Sequence, residues 1–429
     1  MRGFLEVFRL EIAALVRSKT VAMLSIASLA WMFAMPFVVT GDGTVEGERE
    51  LFIHYSLGGV FALLLVALVA SATGVLARER TAKRLQLTMV RPVRFFSIAF
   101  AKTAALTACG AAVLALATLV LAVRTDLARP CSHVLKPVMP SPREEAKAMY
   151  RSFMEDPNTP VQVKSARKSA VLRLLENRAM DNYQTIGTND TAEWKFNIPG
   201  ETAAAAVRIR FTNQFDMRDD VRGLFRLGGL VGVASNITQA IVTVPLLGAE
   251  QSSQETAGDP STAEANQASL RFENRGKRPL MLRPRRDIDL LQPADAFGWN
   301  LLRTYLELVS ILALTISFGV FLSAALGRPV ALFTAIVSLL VGEMSPSVVE
   351  QYPDELEKDA VDRIGLVLTR FAAEATRPVS ALNPLERLAS DACVERKEVA
   401  RVVVLQLLLV PVFLSLLAAF ALPRKQDDL

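Results

Sequence analysis

Arg78-Glu79-Arg80-Thr81-Ala82-Lys83-Arg84-Leu85-Gln86-Leu87-Thr88-Met89-Val90-Arg91-Pro92-Val93-Arg94-Phe95-Phe96, running on to Lys102, lies between two apolar runs that are each long enough to cross a bilayer. It carries seven basic residues (Arg78, Arg80, Lys83, Arg84, Arg91, Arg94, Lys102) against the single acid Glu79. The positive-inside rule therefore places it in the cytoplasm. Leu85, Leu87, Met89 and Val90 form an apolar patch, and Pro92, with no N–H to donate, ends any helix near Arg91. The pattern describes a short amphipathic helix at the inner membrane face. The alternative is a solvated basic loop.

Composition sets the frame around this stretch. With 51% hydrophobic residues and 21% charged ones, the 429-residue chain is too apolar for an ordinary soluble protein and too charged to be membrane throughout. It needs a membrane part and a soluble part. A net charge of +5 raises nucleic acid as a partner, but the basic residues gather beside apolar runs, where anchoring explains them. Cys109, Cys131 and Cys393 are too few and too far apart for a disulfide-rich scaffold or a clustered metal site.

Working outward, residues 3–19 place Phe4, Phe8, Ile12 and Leu15 at helical spacing, with Arg2, Arg9, Arg17 and Lys19 around them. This reads as an interfacial helix on the cytoplasmic surface. A cleaved signal peptide fits less well, because the flank is long and contains acids. Spans follow at 20–40, 52–77 and 103–123, each sufficient for a hydrocarbon core of about 30 Å. The loop Gly41 to Glu50, with Asp42, Glu46, Glu48 and Glu50 against Arg49, falls outside.

Between residues 124 and 298 hydrophobicity drops, and an inserted extracytoplasmic α+β domain is expected. It opens with a linker containing Pro130, Pro137, Pro140 and Pro142, then a helical hairpin over 142–155 and 161–180. Val171, Leu174, Leu175 and Ala179 are expected to share one apolar face. The period then changes to two at 194–198, 207–211, 241–244, 270–272 and 288–290, which predicts short strands of a β-sandwich. The Ser/Gln/Thr-rich run 249–268 has no apolar period and reads as a loop.

The apolar run 308–341 is too long for one span, and Gly327-Arg328-Pro329 breaks it into a hairpin, spans four and five. Residues 350–398 hold eleven acids against seven bases, which fits an outer helical segment. A sixth span covers 399–422, and Arg424-Lys425 keep the C-terminus inside. The fold class is thus an α-helical polytopic membrane protein of six transmembrane helices carrying the inserted domain. It divides into 1–123, 124–298 and 299–429.

No G-x-x-x-x-G-K-[ST] loop, H-E-x-x-H or G-x-S-x-G occurs, so no nucleotide, zinc or serine-nucleophile chemistry is expected, nor a bound cofactor or metal. His54 and His133 stand alone. Glu307 and Glu343 lie nearest the spans, and acids there are candidates for a transport pathway because burying charge is costly; hydration at the outer interface is the plain alternative. Cys131 and Cys393 both fall on the outer side, where an oxidising compartment permits a bridge, two unpaired thiols being the alternative.

The order of residues at 78–102 resembles the loop between the second and third spans of type-2 ATP-binding-cassette (ABC) exporter permeases. There a pattern like E-R-E-x-G-T-L-E-x-L-L-x-x-P-V, followed by a lysine, docks on the ATPase. Glu79, Arg80, Thr81, Leu85, Leu87, Pro92, Val93 and Lys102 fall in place. The resemblance covers the membrane part and not the insert. It implies a permease subunit of the bacterial cytoplasmic membrane, with both termini inside and a second permease copy beside it. A separate ABC ATPase would consume the ATP, and the cargo would be a lipid, glycan, peptide or drug-like molecule. The rival expectation is a membrane-anchored scaffold or sensor whose outer domain binds a ligand without transport.

Overall fold

The computed structural model describes residues 2–38, 45–81, 94–155, 168–180, 183–198, 206–210, 221–228, 230–236, 241–248, 267–277, 279–338 and 384–424. The chain divides into two compact units. One combines Met1–Cys131 with Asp295–Leu429, and the other is Ser132–Ala294.

In the first unit α1 (Arg2–Val16), α2 (Lys19–Val38), α3 (Val45–Thr81) and α4 (Phe95–Arg124) precede the insert. Four helices among the described residues are long and apolar enough to cross a membrane: Gly47–Glu79, Phe95–Arg124, Phe297–Ala325 and Arg396–Ala421. Ala22–Val38 and Arg328–Ser338 are shorter apolar helices. The chain is by this measure a multi-pass membrane protein. Close approach is built on small residues. A Cβ at Gly59 would lie 2.0 Å from Trp31 Nε1, one at Gly110 2.5 Å from Leu68 Cδ1, and one at Gly319 2.9 Å from Ala72 Cβ. These contacts seat α2 and α4 on α3, and α3 on the helix Phe297–Ala325. Ser323 Oγ accepts hydrogen bonds from Leu76 N and Ala77 N across that last pair.

The break expected at Gly327-Arg328-Pro329 is present: one helix ends at Ala325 and the next opens at Arg328. The helix ahead of it begins at Phe297, eleven residues before the expected start at Leu308. Its first turns hold Asn300, Arg303, Thr304 and Glu307, polar residues that a hydropathy reading assigns to water but that are buried or half-buried here. The final helix likewise begins at Arg396, before the expected Val399, and includes a π-helical segment Val403–Leu409. Only the last residues of the expected fifth span, 339–341, and most of the outer segment 350–398 lie outside the described residues. The latter's described part contains the short helix Pro384–Ala389.

The second unit contains α5 (Pro142–Glu155) and α6 (Lys168–Met180), packed on each other, and most of the strands. One sheet has the order β1-β11-β4-β7, a second pairs β10 with β2, and a third runs β3-β9-β5-β6-β8. These strands are β1 (Pro130–Leu135), β2 (Gln184–Ile186), β3 (Thr191–Asn197), β4 (Ala206–Arg210), β5 (Val221–Leu227), β6 (Leu230–Asn236), β7 (Ile241–Pro245), β8 (Leu247–Gly248), β9 (Gln267–Asn274), β10 (Leu280–Leu282) and β11 (Ile288–Ala296). The larger sheets share one core, in which Trp194, Phe196, Phe225 and Phe272 of one meet Val207, Ile209, Ile288 and Leu290 of the other. The register Trp194↔Leu270 and Phe196↔Ala268 follows from the period-2 alternation of β3, whose buried residues are Ala192, Trp194 and Phe196.

Two expectations are corrected in this unit. The proline-rich linker contains a strand, β1, which lies at the edge of its sheet and opens on Pro130, two positions at which a strand tolerates proline. On α6, Leu174 is 67% exposed while Leu175 and Ala179 are buried. Leu174 lies about 100° around the helix from Leu175, which puts it outside the narrow face that Leu175 and Ala179 bury.

Candidate functional site

Lys102 is the organising residue at one end of the bundle. It lies two turns inside α4 rather than in the loop before it, and is only 3% exposed. Its Nζ donates to Glu11 Oε2 of α1 and to Glu79 Oε1 of α3, both at 2.8 Å. A lysine among apolar side chains is tolerable only where oppositely charged acceptors replace its water, and two charge-assisted bonds do that here. The same contact fixes α1 on α4. Phe4 and Phe8 stack at 6.0 Å between ring centroids, Phe4 stacks on Phe100 at 5.6 Å, and Phe100 in turn stacks on Phe96 at 5.7 Å. The amphipathic face of α1 thus meets an aromatic seam, and Glu11 closes it with an ion pair.

Of the expected coupling residues, the structure brings Glu79 and Lys102 together, and Arg80 and Thr81 complete the last turn of α3. Leu85, Leu87, Pro92 and Val93 lie outside the described residues. Sequence reasoning missed Glu11. The available signal was chemical: a lysine within an apolar helix demands acids, and Glu11 is an acid on the facing amphipathic helix.

The opposite end of the bundle is a polar cap. Cys131 and Cys393 are bonded, with α-carbons 5.4 Å apart, and Cys109 is the free thiol. Asp391, in a left-handed conformation (φ 55°), receives Arg49 Nη2 at 2.8 Å and Arg129 Nη2 at 2.5 Å. Asn300 spends both amide atoms on the same segment, donating to Ala392 O and accepting from Val394 N, each at 2.9 Å. Arg303 donates to Val394 O and pairs with Asp295. The hydrogen bond from Arg303, helped by the charge of Arg396, holds the Asp295 carboxyl below the usual aspartate range. Below Asn300 on the same helix stands Glu307, only 4% exposed. Glu343 lies outside the described residues. None of Arg49, Arg129, Asn300 or Asp391 was legible as a site residue, because each acquires its role from a partner distant in sequence.

Comparison with family models, characterised proteins and solved structures finds no match for this chain. Among the described residues no group of three or more His, Cys, Asp or Glu side chains is placed to hold a metal ion.

Proposed function

We propose that this chain is the permease subunit of an ABC exporter, energised by a separate ATPase and paired with a second permease copy in a bacterial cytoplasmic membrane. Six spans fit this reading: the four long helices together with Lys19–Val38 and the helix that opens at Arg328. The termini and the loop 82–93 then face the cytoplasm, and the inserted sheet unit faces out. The observation that supports it is the Lys102 contact. A loop that receives force from an ATPase must be tied to what it moves, and Lys102 ties both flanks of this loop, the end of α3 and the start of α4, to the interfacial helix α1. The loop between those flanks carries the residue order that resembles an ATPase-docking segment. The cargo belongs to the lipid, glycan, peptide or drug-like range.

Purification of the full chain from its native membrane, with mass spectrometry of what accompanies it, tests the reading. A subunit bearing G-x-x-x-x-G-K-[ST] is expected in comparable amount. L85D/L87D should lose that subunit while membrane insertion persists, since placing charge in a desolvated contact costs several kcal/mol. Absence of such a subunit, or an unchanged yield with the double variant, refutes the assignment.

A further inference from the structure

Asn300, Thr304 and Glu307 stand at i, i+4 and i+7 on one helix and so form a column on a single face. The bonds of Asn300 to Ala392 and Val394 show where that face points: toward the segment that leads into the final helix. Asn300, at the top, is satisfied. The two residues below it are not. Among the described residues Thr304 Oγ1 is buried without a hydrogen-bond partner, and no hydrogen bond or ion pair reaches the carboxylate of Glu307, which is 4% exposed. A buried acid of this kind costs several kcal/mol unless something compensates it.

The surrounding charge favours a cation. Among the described residues the ionised groups that act on Glu307 are Arg387, on the short helix Pro384–Ala389, and Glu398, near the start of the last helix. Those two pair with each other at 2.7 Å and so offset one another, which leaves the Glu307 carboxylate to set the sign of the group when it is ionised. Leu385 and Leu388, on the same short helix as Arg387, are buried in the core that this face joins. Two oxygen-bearing side chains are too few for Mg²⁺ or Ca²⁺, which take six or more oxygen ligands. An ammonium group needs fewer. It is a point charge with three N–H donors, and residues three apart on a helix hold their Cβ atoms about 5–6 Å from each other, within reach of one nitrogen.

We infer that Glu307 and Thr304 form a binding site for the primary ammonium group of an amphiphilic amine, whose apolar part lies against the bundle. That such an amine is also the cargo rests on the permease reading; the site itself does not.

Binding of n-decylamine to the purified full chain in neutral detergent micelles, without any ATPase, tests the site. Native mass spectrometry counts bound amine, and decyltrimethylammonium, equally micellar but without N–H donors, serves as the control. Wild type should take one saturable amine. E307Q should bind at least about 10-fold more weakly, E307D should retain binding, and T304V should lose roughly 3-fold, as expected for charged and neutral hydrogen bonds respectively. The trimethylammonium compound should bind wild type at least about 10-fold more weakly than the amine. Equal binding by E307Q and wild type, or equal binding of the two compounds, overturns the site. If E307Q fails to fold by circular dichroism, T304V and the paired compounds decide alone. Failure here leaves ATPase co-purification intact, and failure there leaves amine binding intact.

Discussion

Replacing Lys102 by Met keeps the length and the apolar stem while removing the charge, which isolates the electrostatic part of its role. Glu11 and Glu79 each place an oxygen 2.8 Å from Nζ, so those oxygens lie within about 5.6 Å of each other, twice that distance. Without the ammonium the two carboxylates repel by roughly 3 kcal/mol at an effective dielectric constant of about 20. Their side chains are 18% and 30% exposed, which gives water some access and keeps the cost at the low end of the 3–5 kcal/mol typical of a broken buried pair. A loss of about 3 kcal/mol corresponds to a melting-point drop of roughly 5–10 °C for a unit of this size. Cys109 reports the transition, because it is the one free thiol among the described residues and sits on α4 with Lys102. A maleimide dye that fluoresces on thiol reaction follows its exposure on heating. The triple variant K102M/E11Q/E79Q removes the repulsion and should recover most of the loss. A single variant that melts with wild type, or a triple variant no better than the single, refutes the claim that the three charges act as a unit.

Gly59→Ala places a methyl against the indole of Trp31 and should destabilise by about 1–3 kcal/mol, with W31A/G59A regaining part of it in the same melt. Phe196→Ala empties a fully buried position in the sheet core and should cost about 3–5 kcal/mol, read from the near-ultraviolet signal of Trp194 beside it. Asp295 has its folded pKa lowered, so its contribution is present above the unfolded aspartate value and is lost as pH falls through the folded one. Asp295→Asn should therefore lower the melting point at pH 7 and converge with wild type toward pH 2; an equal deficit at both pH values contradicts the Arg303 assignment.

The apolar helices were readable because their hydropathy runs far exceed any buried soluble helix, and the Gly-Arg-Pro break was readable because it interrupts one. The early start of the fourth expected span, at Phe297, was not. Its first turns are polar in sequence, and only the remote segment 391–394 supplies the partners that let Asn300 and Arg303 be buried. The hairpin of β5 and β6 went unread although Leu227-Gly228-Gly229-Leu230 is a two-residue turn signal, and Gly228 takes the positive φ of 56° that such a turn requires. Its alternation was masked by Gly223, which is glycine because a Cβ there would lie 2.0 Å from the Phe272 ring. At the Lys102 end, Glu79 and Lys102 were singled out by their order in the chain. Glu11 needed the tertiary packing of α1, which no local pattern carries.

Cys131 and Cys393 stand 262 residues apart, with the whole inserted unit and the helix Phe297–Ala325 threaded between them. At synthesis rates of about 5–20 residues per second, the first thiol waits roughly 13–50 s for its partner to be made. The sheet unit is fully synthesised well within that interval, and so can reach its own fold before the ring that encloses it is closed. The bond is in that sense a record of completed assembly: a chain that stalls or is cut before residue 393 has no Cys393 to pair with Cys131, so only a molecule carried past that point can hold the ring closed.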